Sequence, residues 1–380
     1  MTDRAWMRIV HLITKGDVGG AQSVVYELAA GMRGTHEVEV VSGQPGPITD
    51  RLKQMGIPVH TEPSLGRSIS LRDDCAAYRG LVRRLALLAP DLVHSHSSKA
   101  GFLGRMAARK CGFASVYTAH GWPFQPGAPW TQRVFSFVGE FVAGRFGASV
   151  VCVNSADYRR ACRGRVAPVE LLTLIENGIG DVPESLRGKP GSAGQTLRIL
   201  MMARFAPPKR QDVAIRAACL LGGDVTLDLV GSGPLLESTR LLATSLDPSG
   251  RIVRFTPQTD CPESFYREAD VCVLLSDFEG LPMTILEAMR AGLPVLTNRI
   301  DAADSLGVSA FGRVVDCRPE AVADALRELR VRRDELPALG ASARERYESQ
   351  FTASRMVSEY ELLYRRTLDR TTGTRRTNEP

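Results

Sequence analysis

The chain has 380 residues, 44% of them apolar and 24% charged, the balance of a soluble globular protein long enough for two or three domain cores. Its first ten residues are too short and polar a stretch for a secretory leader, and no apolar run reaches the length of a membrane span, so a cytoplasmic protein is expected. The net charge of +6 divides into +7 over residues 1–180 and −1 over 181–380, which points the first half at an anionic partner or, equally well, gives it a solvated basic face.

Short apolar strands alternate with helices from the start. Residues 7–12 are a strand, 21–32 a helix, and 38–41 a strand. A helix ends at 81–88 before a strand at 91–94. Helix 99–110, strand 115–118, helix 131–145 and strand 149–153 follow, and 171–175 closes this half. Pro183, Gly188, Pro190, Gly191, Ser192 and Gly194 then mark a linker. Beyond it come strand 198–202, helix 211–221, strands 226–230, 252–255 and 271–275, helix 282–291 and strand 294–298. The pattern predicts an α/β chain of two doubly wound, Rossmann-like domains at 1–182 and 197–353, joined by a linker at 183–196. A last helix at 354–370 is expected to pack back on the domain junction, and 371–380 is expected to be disordered. Eight scattered cysteines (75, 111, 152, 162, 219, 261, 272, 317) contain no C-x-x-C pair and read as reduced core thiols.

Ligands of open parallel sheets bind beyond the carboxyl ends of the strands, so the loops there carry the candidates. Gly19 and Gly20, after the first strand, suit a phosphate or substrate at a helix N-terminus, or a tight turn; their spacing is not that of a dinucleotide site. His94 and His96 lack a nearby acid or Cys and make a poor zinc site, while Ser97, Ser98 and Lys99 suit an anion or a helix cap. His120, followed by Gly121, Trp122 and Phe124, offers a polar edge beside an aromatic platform, although a lone His is usually structural. Val134, Phe137, Val138, Phe141 and Val142 form a helical stripe that reads first as core-facing; Arg133, Arg145, Trp130 and Phe135 around it also suit a membrane surface. Arg204 and Lys209 after strand 198–202 could clamp a diphosphate, or be two surface cations. Gly231 is a weaker, Gly-rich strand end. The segment Glu279-Gly280-Leu281-Pro282-Met283-Thr284, followed by Glu287, is strand, loop and helix, with N–H groups for a phosphate and two carboxylates suited to sugar and ribose hydroxyls.

Glu279 and Glu287, eight apart, resemble the paired glutamates of the family 4 retaining glycosyltransferases of the GT-B fold, exopolysaccharide and surface-glycan type. Arg204 and Lys209 match that family's donor-phosphate pair, and Gly19-Gly20, residues 96–101, His120-Gly121 and Asn177-Gly178 fall in its order over roughly residues 7–365. The resemblance implies two Rossmann-like domains facing across a cleft and transfer of a sugar, with retention, from a nucleotide sugar, by default a UDP-sugar. The implied acceptor is a glycan or polyprenyl-diphosphate-linked sugar in bacterial exopolysaccharide or surface polysaccharide synthesis. It implies that Arg204 and Lys209 hold the diphosphate, Glu287 the ribose, Glu279 and His120 the transferred sugar, and that Gly19, Gly20, Gly231, Gly280, Leu281, Pro282, Met283 and Thr284 line the donor. Ser97, Ser98, Lys99, Trp122 and Asn177 are the acceptor candidates. No cofactor, metal or nucleic acid is implied, and contact with the anionic inner face of the plasma membrane is compatible with the basic half. The family's usual Gly-Gly-Glu is replaced at Ile300-Asp301-Ala302-Ala303-Asp304, which leaves a catalytically degenerate scaffold as an alternative, beside a sugar-nucleotide epimerase of the same fold.

Overall fold

The structure is a computed structural model that describes residues 6–66, 71–125, 129–191, 194, 196–259 and 261–377. Contacts divide the chain into two units: residues 1–180 with 353–380, and residues 181–352.

The first unit runs β1 (Arg8–Ile13), α1 (Gly20–Met32), β2 (Glu37–Ser42), α2 (Pro47–Gln54), β3 (Val59–Thr61), α3 (Leu71–Leu88), β4 (Leu92–His96), α4 (Ser98–Cys111), β5 (Ala114–Ala119), α5 (Trp130–Ala143), β6 (Ser149–Cys152), α6 (Ser155–Arg163) and β7 (Leu172–Leu174). Its sheet is parallel throughout in the order β3-β2-β1-β4-β5-β6-β7, so the strand order reverses between β1 and β4. β1, β4, β5 and β6 are almost wholly buried, as expected of strands covered on both faces. Helix ends follow local chemistry. The Asn154 side chain accepts the Asp157 N–H at 2.8 Å to cap α6, and Gly112 closes α4 in the left-handed region.

The second unit runs β8 (Leu197–Met202), α7 (Gln211–Leu221), β9 (Val225–Val230), α8 (Leu236–Leu246), β10 (Val253–Thr256), α9 (Glu263–Glu268), β11 (Val271–Leu274), α10 (Met283–Arg290), β12 (Val295–Asn298), α11 (Asp301–Leu306), β13 (Gly312–Val315), α12 (Pro319–Val331) and α13 (Leu336–Gln350). Its parallel sheet has the order β10-β9-β8-β11-β12-β13, reversing between β8 and β11. α14 (Ala353–Thr377) then returns to the first unit.

Four sequence expectations change. β4 continues two residues past His94, to His96, so that His96 joins His94 within the strand and does not lie in its loop. Residues 181–191, expected as the end of the first domain and a linker, are held on the second unit: Gly188 N–H donates to the Ala291 carbonyl, Gly191 N–H to Asp270, and Arg344 to Asp181. α14 continues to Thr377 where disorder was expected from 371; Arg370 ties it to the Glu170 carbonyl and Ser149, and residues 378–380 lie outside the described residues. The stripe on α5 faces outward. Val134, Val138, Phe141 and Val142 are exposed, and only Phe137 of the five packs inward. The reason is Glu140, which is buried and receives Arg105 Nη2 at 2.6 Å and the Tyr117 hydroxyl at 3.1 Å. Turning this one acid toward a fully buried arginine turns the apolar flank to the surface.

α14 lies on one face of the first sheet and reaches three successive strands through polar contacts. The Tyr364 hydroxyl is 2.6 Å from His94 Nδ1 in β4, Tyr360 is 2.8 Å from Thr118 in β5, and Thr367 is 2.8 Å from Ser149 in β6. In the second unit, buried Asp270 receives Arg198, Arg333 and the N–H groups of Gly191 and Arg198, which holds its carboxyl below the usual range despite burial. Asp270→Ala should therefore destabilise the protein by about 2–3 kcal/mol, toward the low end for a broken buried pair because both arginines reach water. Urea unfolding checks this; a loss within experimental error would show that the cluster is not holding the second unit.

Candidate active site

Both reversals in strand order place two strand ends side by side, and the sequence candidates gather at these ends.

In the second unit, the loop after β8 packs against the loop after β9. Phe205 N–H donates to the Ser232 carbonyl at 2.9 Å. Gly231 and Gly233 stand at φ of 150° and 154°, and a Cβ on either would meet the carbonyl oxygen of Ala203 at 2.2 Å or of Phe205 at 2.4 Å. The glycine at 231 is thus required by the closeness of two backbones, which fixes the path of the 203–205 segment. The Arg204 side chain is exposed, while its carbonyl accepts from Gln211 at 3.0 Å. Further along, the same loop meets the one after β11: Arg210 N–H donates to the Leu275 carbonyl and Asp277 N–H to the Pro208 carbonyl, both at 2.9 Å. This brings the Lys209 ammonium against the Glu279 carboxylate, which also receives the Ser276 hydroxyl. Both members of the ion pair are mostly buried.

Gly280, Leu281, Pro282 and Met283 are buried beside this pair. Pro282 is the residue before α10 and Met283 its first, one place later than the sequence suggested. α10 begins without a side-chain cap and without an acid in its first turn, so its N-terminal N–H groups remain a place for an anion. Thr284 Oγ1 donates to the Met202 carbonyl at 3.1 Å and ties α10 to the end of β8. Glu287 is oriented by the Tyr266 hydroxyl at 2.7 Å. Asn298, at the end of β12, accepts Ser276 N–H and donates to the Ser276 carbonyl, both at 2.9 Å. Ser276, Asn298 and Tyr266 were absent from the sequence reading; each supports a candidate from another element, a relation that spacing does not encode. Asp304, in the stretch that departs from the family pattern, is exposed in α11.

In the first unit, Gly19 precedes α1, which starts at Gly20 and also lacks a side-chain cap. Ser97 precedes α4 at φ 68°, a left-handed conformation costing about 1 kcal/mol or more for a residue with a side chain, and its hydroxyl is 3.3 Å from that of Thr14. Ser98 begins α4. Two of the acceptor candidates, Lys99 and Trp122, take structural roles instead. Lys99 pairs with Asp74 of α3 at 2.6 Å. Trp122 is fully buried, stacks on Phe124 and donates to the Asp157 carbonyl, so it presents no platform to a sugar. Asn177 is buried, and its carbonyl accepts from Arg355.

His120 belongs to a row that the sequence did not disclose. His11 is the register partner of His94, and His96 lies two residues on, so strand alternation puts all three on one face. His11 Nδ1 is 3.1 Å from His96 Nε2, and His96 Nδ1 is 3.0 Å from His120 Nε2. His94 sits beside them, bonded to Tyr364 and Thr118. A neutral imidazole has one donor and one acceptor, so His96 donates to one neighbour and accepts from the other. Nitrogens of His11, His94 and His96 lie within 4.8 Å of one another, a spacing open to a metal ion, although the hydrogen bonds just described already occupy both nitrogens of His94 and of His96. Burial lowers all four, His11 to about 3 and His120 to about 4, with neighbouring rings adding to the effect at His94 and His96.

A model of the glycosyl transferase 4-like domain matches residues 19–178, and one of the glycosyl transferases group 1 matches residues 183–346. The chain belongs to the family 4 glycosyltransferases of the GT-B fold. It is 27% identical over 293 residues, 72% of this chain and 74% of the relative, to the UDP-Gal:alpha-D-GlcNAc-diphosphoundecaprenol alpha-1,3-galactosyltransferase of Escherichia coli. It is 28% identical over 303 residues, 73% of this chain and 72% of the relative, to a GDP-mannose-dependent alpha-(1-6)-phosphatidylinositol monomannoside mannosyltransferase of Mycobacterium tuberculosis. In fold it resembles Anabaena Alr3699/HepE, crystallised with UDP and glucose, at a TM-score of 0.79 and 20% identity, over 94% of this chain and 99% of that one. Glycosyl transfer is thus the activity of this family, and relatives serve O-antigen synthesis.

The buried imidazoles make stability depend on pH. Their folded pKa values lie below the unfolded value of about 6.5, so the unfolded chain takes up protons first as pH falls. Stability should be flat in this respect above pH 7 and fall from pH 6.5 toward pH 4, by about 1.4 kcal/mol per pH unit for each such histidine. Urea unfolding at pH 7.5 and 5.0 measures it, and His11→Asn should reduce the slope; an unchanged midpoint would reject a neutral row.

Proposed function

We propose that this protein is a retaining, metal-independent glycosyltransferase that moves a sugar from a nucleotide sugar, taken as a UDP-sugar, to a glycan or polyprenyl-diphosphate-linked acceptor. Its place is the synthesis of a bacterial exopolysaccharide or surface polysaccharide, at the cytoplasmic side of the membrane. The observation that carries the reading is the corner where Lys209 and Glu279 meet beside the uncapped start of α10. It supplies a cation, a helix N-terminus and a carboxylate within one small region, the set needed to hold a diphosphate and grip a sugar hydroxyl. The UDP-Gal and diphosphoundecaprenol in the name of the Escherichia coli relative support the donor and acceptor classes.

Leaving-group charge develops on the donor diphosphate as the glycosidic bond breaks. Arg204 and Lys209 stabilise it, together with the N–H groups of Met283 and Thr284. Glu279 accepts from hydroxyls of the transferred sugar, Glu287 from the ribose, and His120 contacts the sugar. With the leaving phosphate as the base, attack comes from the same face and the anomeric configuration is kept. No resident metal or other cofactor takes part.

Lys209→Ala should weaken UDP binding roughly tenfold to a hundredfold, the worth of a bond between charged groups, and leave uridine binding nearly unchanged. Calorimetry with both ligands separates the two; equal weakening would remove Lys209 from the phosphate site. Proton NMR of the first product, formed with EDTA present, tests the chemistry: an anomer matching the donor is expected. An inverted product, or dependence on added magnesium, would overturn the retaining, metal-independent reading.

A further inference from the structure

α5 presents Trp130, Val134, Phe135, Val138, Phe141 and Val142 to solvent, with Trp130 74% and Phe135 79% exposed. Among the described residues no other helix exposes more than two large apolar side chains. Soluble surfaces tolerate single cases; a continuous apolar ridge marks a contact site. The helix is inverted by its own chemistry, since its one acid, Glu140, points inward to Arg105 and Tyr117.

The charge around the ridge is of one sign. Arg109, Arg133 and Arg145 border it, and each donates to main-chain carbonyls: Arg109 to residue 145, Arg133 to Phe124, and Arg145 to residues 165 and 166. Among the described residues no carboxylate pairs with any of the three. A carbonyl partner leaves a guanidinium's charge in place, so the rim stays cationic. Over residues 101–150 the chain has five Lys and Arg against the single acid Glu140, which Arg105 already neutralises. Arg109, Phe141, Val142, Arg145 and Phe146 also line a shallow hollow of about 420 Å³ at the carboxyl end of the helix.

We propose that α5 seats the first unit on the surface of a bilayer containing anionic lipid. At 14 residues the helix is too short to span a bilayer, and no helix among the described residues is long and apolar enough to do so. Trp and Phe on an apolar face with arginines at its border fit the boundary between headgroups and acyl chains. The cationic rim fits anionic headgroups. The same rim argues against a second copy of this chain, because a symmetric contact would set like charges against each other. The inference deepens the proposed reading, in that a polyprenyl-linked acceptor lies in such a bilayer, but its evidence is the helix itself.

The full chain is sedimented with vesicles of phosphatidylcholine alone and of phosphatidylcholine with an equal part of phosphatidylglycerol, without donor or acceptor. Binding to the anionic vesicles is expected to exceed binding to the neutral ones by about tenfold or more, and to weaken with salt. Trp130→Ser with Phe135→Ser, and separately Arg133→Glu, should each lower it about tenfold while UDP binding and thermal unfolding stay unchanged. Those two controls keep a misfolded variant from passing as support. Equal binding to both vesicle types, or none to either, overturns the proposal. So does a wild-type dimer that Phe135→Ser converts to monomer without any vesicle binding. Transfer to a soluble acceptor analogue is assayed in parallel, so that failure of the transferase reading shows separately from failure of the docking surface.

Discussion

The pairing of β8 with β11, where the strand order of the second sheet reverses, is the constraint on which the rest of the candidate site depends. Ile199 stands opposite Val271 and Leu200 opposite Cys272, so the two strands end side by side and their loops must share the same space. The 203–210 loop and the 275–284 loop then exchange backbone hydrogen bonds, and an antiparallel bridge joins Lys209 to Ser276. Lys209 meets Glu279 because the two backbones are already fixed there, not because opposite charges found one another across a flexible surface. A site of this kind is preorganised at the level of the sheet.

Supporting residues follow the same logic. Asn298 reaches from the neighbouring strand to hold both main-chain groups of Ser276, and Ser276 in turn donates to Glu279. Tyr266 holds Glu287 from behind. Buried polar groups of this type cost free energy unless paired, and each here is paired with a neighbour of the site. In the first unit the strain at Ser97 marks the matching reversal between β1 and β4.

The sequence was most readable where one period or one motif decides the outcome. The alternation of apolar strands and helices gave both sheets except the edge strands β3 and β13, and the Glu279–Glu287 spacing with Arg204 and Lys209 gave the family. What escaped it depended on partners distant in sequence. The outward turn of α5 is set by Arg105, 35 residues before Glu140, so the 3.6-residue period identified the right stripe and assigned it to the wrong side. The histidine row needed His96 to be inside β4; with the strand ended at His94, the alternation that aligns His11, His94 and His96 was hidden. Trp122 and Lys99 looked like ligand contacts by residue type, and burial and Asp74 claim them instead.

α14 has a consequence for how the chain can be divided. The second unit is covalently an insertion, entered at 180–181 and left at 352–353, with the polypeptide that completes the first unit arriving only afterwards. Translation therefore delivers a finished second unit before the first sheet has its last layer. Until residues 360, 364 and 367 emerge, His94, Thr118 and Ser149 stand without the hydroxyls that later meet them. A single cut between the units would yield one whole fragment and one open one, whereas joining residue 180 directly to residue 353 and producing residues 181–352 as a separate chain would keep both complete.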